Sequence, residues 1–316
     1  MNAIKHSLTL CTVLLMFAAC NGRHSVLPSS SGTPFDVILM GDSGDIVRQV
    51  LETDVPGLPQ CEPLFHVTTA DQKQTSTATK LARSIVIVDI DPKQYTRVSV
   101  RQEKNVYATP QTVVHVHTPS ADALRQYLST DRTLLRMLVR HEYTAEIARL
   151  QSHHNPKAEA VIRQMFGCTM SVPSTMTASK QGKNFIWLSD NSAYGMTNIC
   201  IYTSENRDSV MRINIKGETD DMYMTTVAGS ITRQRVYPRG QTVDVTRGLW
   251  EMKGDAMGGP FVSHTVRDSL SGKTIVAEAF VYAPSMPKRN LLLRAEAALY
   301  TLRPTIEKPQ KVARGR

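Results

Sequence analysis

Residues 260–282 run PFVSHTVRDSLSGKTIVAEAFVY, and their reading decides the fold class. Pro260 to Arg267 and Thr274 to Tyr282 are strand-like, rich in β-branched and aromatic residues, and Ser271-Gly272 supplies a turn between them. Upstream, Leu249 to Lys253 is a further strand. Downstream, Pro287 starts an amphipathic helix through Leu292, Ala295, Leu299 and Tyr300. Further back, strands are expected at Phe35–Met40, Leu64–Thr68, Ser84–Ile90, Val98–Glu103, Thr112–His117, Cys168–Thr177, Asn184–Ser189 and Asn198–Thr203. A helix opens at Gly44-Asp45, a long one is capped by Ser120 and carries Leu124, Leu128, Leu134, Leu138 and Leu150, and another runs to Phe166 and is closed by Gly167. The polar stretch 205–230 yields no assignment. Strands and helices come in blocks, which points to α+β with mostly antiparallel sheet and helices packed on one face. The break at His153-His154-Asn155-Pro156 divides the chain into two similar-sized subdomains, 35–150 and 151–303.

The N-terminus reads as an export signal. Lys5 is followed by a largely apolar run, Leu8 to Phe17, too short for the roughly 20 residues that cross a bilayer. It ends Phe17-Ala18-Ala19-Cys20, which looks like a bacterial lipobox, although Phe17 sits where Leu is more usual. Residues 1–19 are then a removed signal peptide and Cys20 carries lipid. Residues 20–34, with Ser25, Pro28, Ser29, Ser30, Ser31, Gly32 and Pro34, read as a flexible tether. Lys308, Lys311, Arg314 and Arg316 mark 304–316 as a basic, disordered tail.

The formal charge of +9 becomes +8 once residues 1–19 and their Lys5 are removed. Such an excess suits anionic headgroups or an acidic partner. There is no basic run interleaved with aromatics, so nucleic acid is not an expected partner. Cys61, Cys168 and Cys200 are too far apart in sequence for a CxxC or zinc pattern. No cofactor is expected.

Four constellations bear on chemistry. Gly41-Asp42-Ser43-Gly44, between a strand and a helix, offers Ser43 as a nucleophile and is similar to the opening of GDS-type esterases. The late Asp-x-x-His those enzymes need is missing, and a capped turn explains the stretch as well. His141-Glu142 has Ala145 where a zinc protease needs its second His, so Glu142, Glu146 and Arg149 read as solvated helix charges. His115 and His117 alternate on one strand face and can chelate a metal with His66 as third ligand, or simply line an exposed face. Arg132, Arg136 and Arg140 form a helical stripe that reads as a solvated face.

The least generic segment is 247–261, Arg247-Gly248-Leu249-Trp250-Glu251-Met252-Lys253-Gly254-Asp255-Ala256-Met257-Gly258-Gly259-Pro260-Phe261. Its glycines indicate closely approaching backbones. Trp250, Met252, Met257, Gly258 and Gly259 either line a ligand or partner contact or form a structural hairpin corner.

This segment, with Phe280-Val281-Tyr282-Ala283-Pro284, Lys288-Arg289-Asn290, Glu296-Ala297-Ala298-Leu299-Tyr300, Pro56-Gly57-Leu58-Pro59-Gln60, Glu62-Pro63, Phe65, Pro110-Gln111 and Tyr223-Met224-Thr225, resembles a lipoprotein family of Bacteroidota defined only as a domain of unknown function. The resemblance covers about 36–303 and departs around 205–222. It implies an envelope lipoprotein and brings no activity and no catalytic residues. The expectation is a lipid-anchored, non-enzymatic binding or scaffold module of the bacterial envelope, on the periplasmic side, meeting another envelope protein or ligand. The alternatives are a hydrolase using Ser43 and a metal-binding module using His115 and His117.

Overall fold

The computed structural model describes residues 27–72, 76–268 and 272–305. The expected signal peptide, Cys20 and the expected tail beyond Thr305 lie outside the described residues. In the N-terminal half, β1 (Asp36–Met40), β2 (His66–Thr69), β3 (Ser84–Ile90), β4 (Ser99–Lys104) and β5 (Thr112–Thr118) form a sheet in the order β2-β1-β3-β5-β4. The pairs β1–β2, β1–β3 and β3–β5 are parallel and β4–β5 is antiparallel. The fold as a whole is α+β with mostly antiparallel pairing, and this sheet holds its parallel pairs. β1, β2 and β3 run the same way because α1 (Ile46–Leu51) and α2 (Thr77–Lys80) lie in connections long enough to carry the chain back for a crossover, and β5 runs with β3 because β4 returns the chain between them.

Helices cover one face of this sheet. Val37, Leu39, Val86, Val88, Val114 and Val116 pack against Ile46, Val47 and Leu51 of α1, Leu124 and Leu128 of α3 (Ala121–Thr130), and Leu134 and Leu138 of α4 (Thr133–Ser152). Ser120 caps α3 by accepting from Ala123 N. The opposite face carries only a small cluster of Met40, Ile85 and Val113.

The C-terminal half begins with α5 (Pro156–Phe166), capped by Asn155, opened by proline and closed by Gly167 in the left-handed conformation. Then come β6 (Cys168–Thr169), β7 (Ala178–Gly182), β8 (Phe185–Ser189), β9 (Met196–Tyr202), α6 (Arg207–Asn214), β10 (Tyr223–Thr226), β11 (Thr232–Val236), β12 (Val243–Lys253), β13 (Gly258–Arg267), β14 (Thr274–Tyr282), α7 (Arg289–Leu299) and β15 (Arg303–Pro304). The large sheet is antiparallel, in the order β10-β12-β13-β14-β9-β8-β7, with β11 also on β12. Strand pleating gives it two buried faces. Val245, Val262, Ala277, Ala279, Ile199 and Ile201 lie under α5 and α7. Trp250, Phe261, Phe280, Cys200 and Tyr202 lie on the other side with Met211 of α6.

Helix α7 serves both halves. Leu292, Ala295, Ala298 and Leu299 belong to the C-terminal core, while Leu293 is buried in the N-terminal one. A helix apolar almost all round must be enclosed on nearly all sides, and Leu292, Leu293, Ala295, Glu296, Ala297, Ala298 and Leu299 are buried between the two sheets, with Arg294 exposed.

Two boundaries are corrected. Within the expected tether, Thr109 N donates to Pro28 O, Ser30 N to Thr109 O, and Ser31 N to Leu81 O, at 2.7–3.1 Å. Residues 28–31 are therefore fixed to the N-terminal half, because their backbone groups find partners there. At the other end Pro304 pairs with Cys168 and Thr305 N donates to Gly167 O, so structure continues past the expected start of the tail.

Leu293→Ala should destabilise the whole chain by about 2–5 kcal/mol. Urea unfolding followed by far-UV circular dichroism should show a single transition at a lower midpoint. A midpoint unchanged within error would mean that α7 is not shared.

Candidate functional site

The 247–261 segment is a hairpin, with β12 and β13 paired from Asp244–Thr265 to Glu251–Gly258. Trp250 is opposite Gly259, and its indole lies across that glycine to donate from Nε1 to Val281 O of β14 at 3.2 Å. A Cβ on Gly259 would sit 2.0 Å from Val281 O and 3.1 Å from Trp250 Nε1, so no other residue fits. Trp250 packs edge-on to Phe280, with ring centroids 5.5 Å apart. Trp250 and Met252 are core residues, 2% and 7% exposed, and of the five candidate contact residues only Met257 and Gly258 retain appreciable surface. Of the two readings of this segment, the hairpin corner is the one the structure has. A partner contact centred on Trp250 is corrected, since a side chain filling the core cannot meet a partner.

Ser43 is exposed, and among the described residues no hydrogen bond joins its hydroxyl to a histidine or carboxylate. The Asp42 carboxylate accepts from Val47 N and Arg48 N at 3.0–3.1 Å, which occupies the helix-terminal amides an oxyanion would need. His115 and His117 sit on the sheet face away from the helices, ring centroids 6.2 Å apart. His115 Nε2 lies 3.7 Å from Glu103, and His117 stacks at 4.7 Å on Tyr95, whose hydroxyl donates to Asp89. His66 is separated from them by β1 and β3, on the order of 14 Å at the usual strand spacing. Among the described residues no three His, Cys, Asp or Glu side chains converge as a ligand set.

Two of the helix charges expected in solvent are buried instead, while Arg132, Arg136 and Arg140 are exposed. Glu142 is wholly enclosed and Glu146 nearly so. Glu142 accepts from Ser84 Oγ at 2.7 Å, Phe35 N at 3.2 Å and Arg83 at 3.4 Å. Glu146 accepts from Arg83 at 2.9 Å, Arg149 at 3.0 Å and Arg294 of α7 at 3.3 Å. Burial raises the pKa of Glu142 against the pull of its donors. Burial also opposes ionisation of Glu146, but its three arginines outweigh it and lower the pKa. The neighbouring His141 is pushed down to about 4, first by burial and then by Arg83 and Lys104.

At the centre lies Glu296 of α7, with no exposed surface. Arg247 Nη2 donates to both its oxygens at 2.7 Å, the Tyr143 hydroxyl donates at 2.7 Å, and His264 Nε2 stands 3.1 Å away. Since a carboxylate only accepts, His264 carries its proton on Nε2. Burial alone would raise the Glu296 pKa, yet Arg247, His264 and Tyr143 hold it at about 2. The rings of Phe65, Phe35, Tyr143, Tyr300 and His264 form a chain of contacts at 4.4–5.8 Å beside it.

Other residues of the family-like motifs reach the same seam. Glu62 accepts from Lys288 N and Arg289 N at 2.8–3.0 Å, capping α7 from the other half of the chain. A Cβ on Gly57 would lie 3.1 Å from Arg247 Cβ and 3.2 Å from Gly248 N. On the far face of the large sheet, Glu278 takes a two-nitrogen grip from Arg207 and a bond from the Tyr202 hydroxyl, all at 2.8–3.1 Å. Sequence reasoning named Glu62 and Glu296 only as motif residues, with no role, and passed over Arg207 and Glu278. The available signal was a single acid inside an apolar run, as in Thr274–Tyr282 and Arg289–Leu299. This geometry provides fixed charges with no substrate access, suited to holding elements together. An open pocket of ≈ 120 Å³ lies between Glu159, Arg163, Thr169, Met170, Ser171 and Thr301, smaller than the roughly 300–1,000 Å³ typical of ligand sites.

Two family models match the chain, and the seam joins the regions they match. Residues 36–152 match a domain of unknown function (DUF8532), and residues 155–301 match another domain of unknown function (DUF4837). Tyr143, Glu142, Glu146 and Glu62 come from the first region, and Arg247, His264, Glu296 and Arg294 from the second. A crystal structure of a protein from Bacteroides thetaiotaomicron VPI-5482, at 1.50 Å resolution, aligns with 12% identity and a TM-score of 0.20. It covers 45% of this chain, which in turn spans 46% of that protein. No curated protein matches.

Glu296→Ala strands the Arg247 charge and should cost about 3–5 kcal/mol. Because folding lowers the Glu296 pKa from 4.5 to about 2, its contribution is full above about pH 4.5 and is lost as pH falls toward 2. Glu142 runs the other way, since a raised carboxyl favours folding on acidification. Urea midpoints between pH 2 and 7 should show a Glu296→Gln variant losing acid dependence relative to wild type. An unchanged pH profile would remove Glu296 from the account. Gly259→Ala should displace the Trp250 indole from Val281 O, shift its emission to longer wavelength and lower the thermal midpoint by several degrees. A wild-type spectrum with wild-type stability would contradict the close approach.

Proposed function

We propose that this protein is an exported lipoprotein of a Bacteroidota-type envelope, held by lipid on Cys20, whose folded part is a non-enzymatic binding or scaffold module. The observation that carries the second half of this reading is where the motif residues go. Glu62, Arg247, Lys288, Arg289, Glu296 and Tyr300 lie along a largely buried seam rather than around a cleft. Residues so placed stabilise one relative arrangement of two sheets and hold no reacting group in reach of solvent. Support for the anchor is the run Leu8–Phe17 followed by Ala18-Ala19-Cys20. Two or three acyl chains, such as palmitate, on one cysteine would hold the chain stably. Among the described residues no helix is long and apolar enough to cross a membrane, which says nothing of strands. The partner would be another envelope protein or an envelope ligand on the periplasmic side.

In-cell cross-linking of the native protein beside a Cys20→Ala variant should give a stoichiometric partner only with the wild type. Fluorophosphonate labelling of the folded protein should be absent. Labelling that disappears in Ser43→Ala would replace this reading with a hydrolase.

A further inference from the structure

The place where the chain joins the N-terminal half is marked by charge as well as by geometry. Pro28, Ser30 and Ser31 hydrogen-bond to Thr109, Leu81 and Arg83, just ahead of β5 and β3. Three segments meet at this end of the sheet, residues 27–35, 76–84 and 104–112, and none contains Asp or Glu. Lys80 and Lys104 are exposed there. Tyr107, three residues beyond Lys104, stands 44% exposed, with Lys80 Nζ 5.9 Å from its ring centroid. The nearest acid along β4, Glu103, faces His115 on the other side of that strand. The loop bearing Tyr107 is rigid. Buried Gln111 donates to Lys80 O and Ala82 O at 2.6 and 2.7 Å, and its Oε1 accepts from Tyr107 N at 2.8 Å. Its backbone also exchanges bonds with Asn105.

We infer that this end of the N-terminal half, comprising Leu27–Ser31, Lys80, Lys104 and Tyr107, is a docking face for an anionic lipid bilayer. The inference rests on the reading of Cys20 as the lipid-bearing residue. Leu27 is seven positions after Cys20, a lead that even when fully extended reaches at most about 25 Å. A domain on so short a lead presents to the headgroups the surface from which the lead emerges. That surface carries lysines that attract anionic lipid and a tyrosine of the kind favoured at a membrane interface. Both lysines are free of carboxylate partners in the described structure, so their charge is available to headgroups.

The test uses the full-length lipidated protein reconstituted in phosphatidylglycerol-containing vesicles, in phosphatidylcholine vesicles, and in detergent. The lysines are acylated briefly and read by mass spectrometry, with the Cys20 peptide mass and vesicle co-sedimentation recorded on the same samples. Lys80 and Lys104 should label about fivefold less on phosphatidylglycerol vesicles, the factor that roughly 1 kcal/mol per surface lysine corresponds to. Lys180 and Lys253 in the other half should not change. The protection should fall away in phosphatidylcholine and in 1 M NaCl, where screening acts within about 3 Å. If the protein is acylated and sediments yet Lys80 and Lys104 label as Lys180 does, the docking face is overturned and the anchor stands. If Cys20 carries no lipid, the anchor reading fails and this inference fails with it.

Discussion

The structure depends on one carboxylate, that of Glu296, enclosed between two sheets and held by donors from both halves of the chain. Removing an ion from water costs several kcal/mol even after relaxation, and only good geometry with multiple donors offsets it. Arg247, His264 and Tyr143 provide those donors from β12, β13 and α4. Such a group contributes less to net stability than to uniqueness. Helix α7 is apolar almost all round, so packing alone leaves several rotations of nearly equal energy. Glu62 at its first amides fixes it along its axis, and Glu296 in its last turns fixes it about that axis.

The same device recurs with a different sign at each site. Glu142 has one arginine at 3.4 Å and otherwise neutral donors, and burial wins. Glu146, one helical turn on, has three arginines, and the charges win. A single turn of α4 therefore carries two carboxyls whose protonation responds oppositely to folding. Arg294 brings α7 into that arrangement, so a further contact between the halves is an ion pair with one buried member.

Much of the secondary structure was legible because alternation and helical spacing are local properties. Thr274–Tyr282, Ser84–Ile90 and α5 fall where the pattern puts them. Parallel pairing in the first sheet was not legible, since β1 alternates the same way whichever direction its neighbour runs. Helix α6 was missed because it is short and buries only Met211, with Ile213 left exposed. The buried acids of α4 were legible and were overlooked. Leu134, Leu138, Glu142, Glu146 and Leu150 recur every four residues, so both glutamates lie on the apolar stripe. What no local pattern gives is the partner. Tyr143 and Glu296 are 153 positions apart, and only the meeting of two sheets brings them together.

Strand β12 shows why the most distinctive segment is structural on both its faces. Pleating sends Arg247 to the seam and Trp250, three residues on, to the opposite core. Two glycines make both possible. A Cβ on Gly248 would lie 2.7 Å from Ile231 Cδ1, beside Phe261, and one on Gly259 would strike Val281 O. A binding surface asks for side chains that reach outward, and here the indole, the guanidinium and the glycines all serve inward contacts. The specificity of this sequence therefore records a constraint on how two sheets are joined. A recognition surface has to be sought among residues the seam leaves free, of which Lys80, Lys104 and Tyr107 are the ones set where the chain arrives.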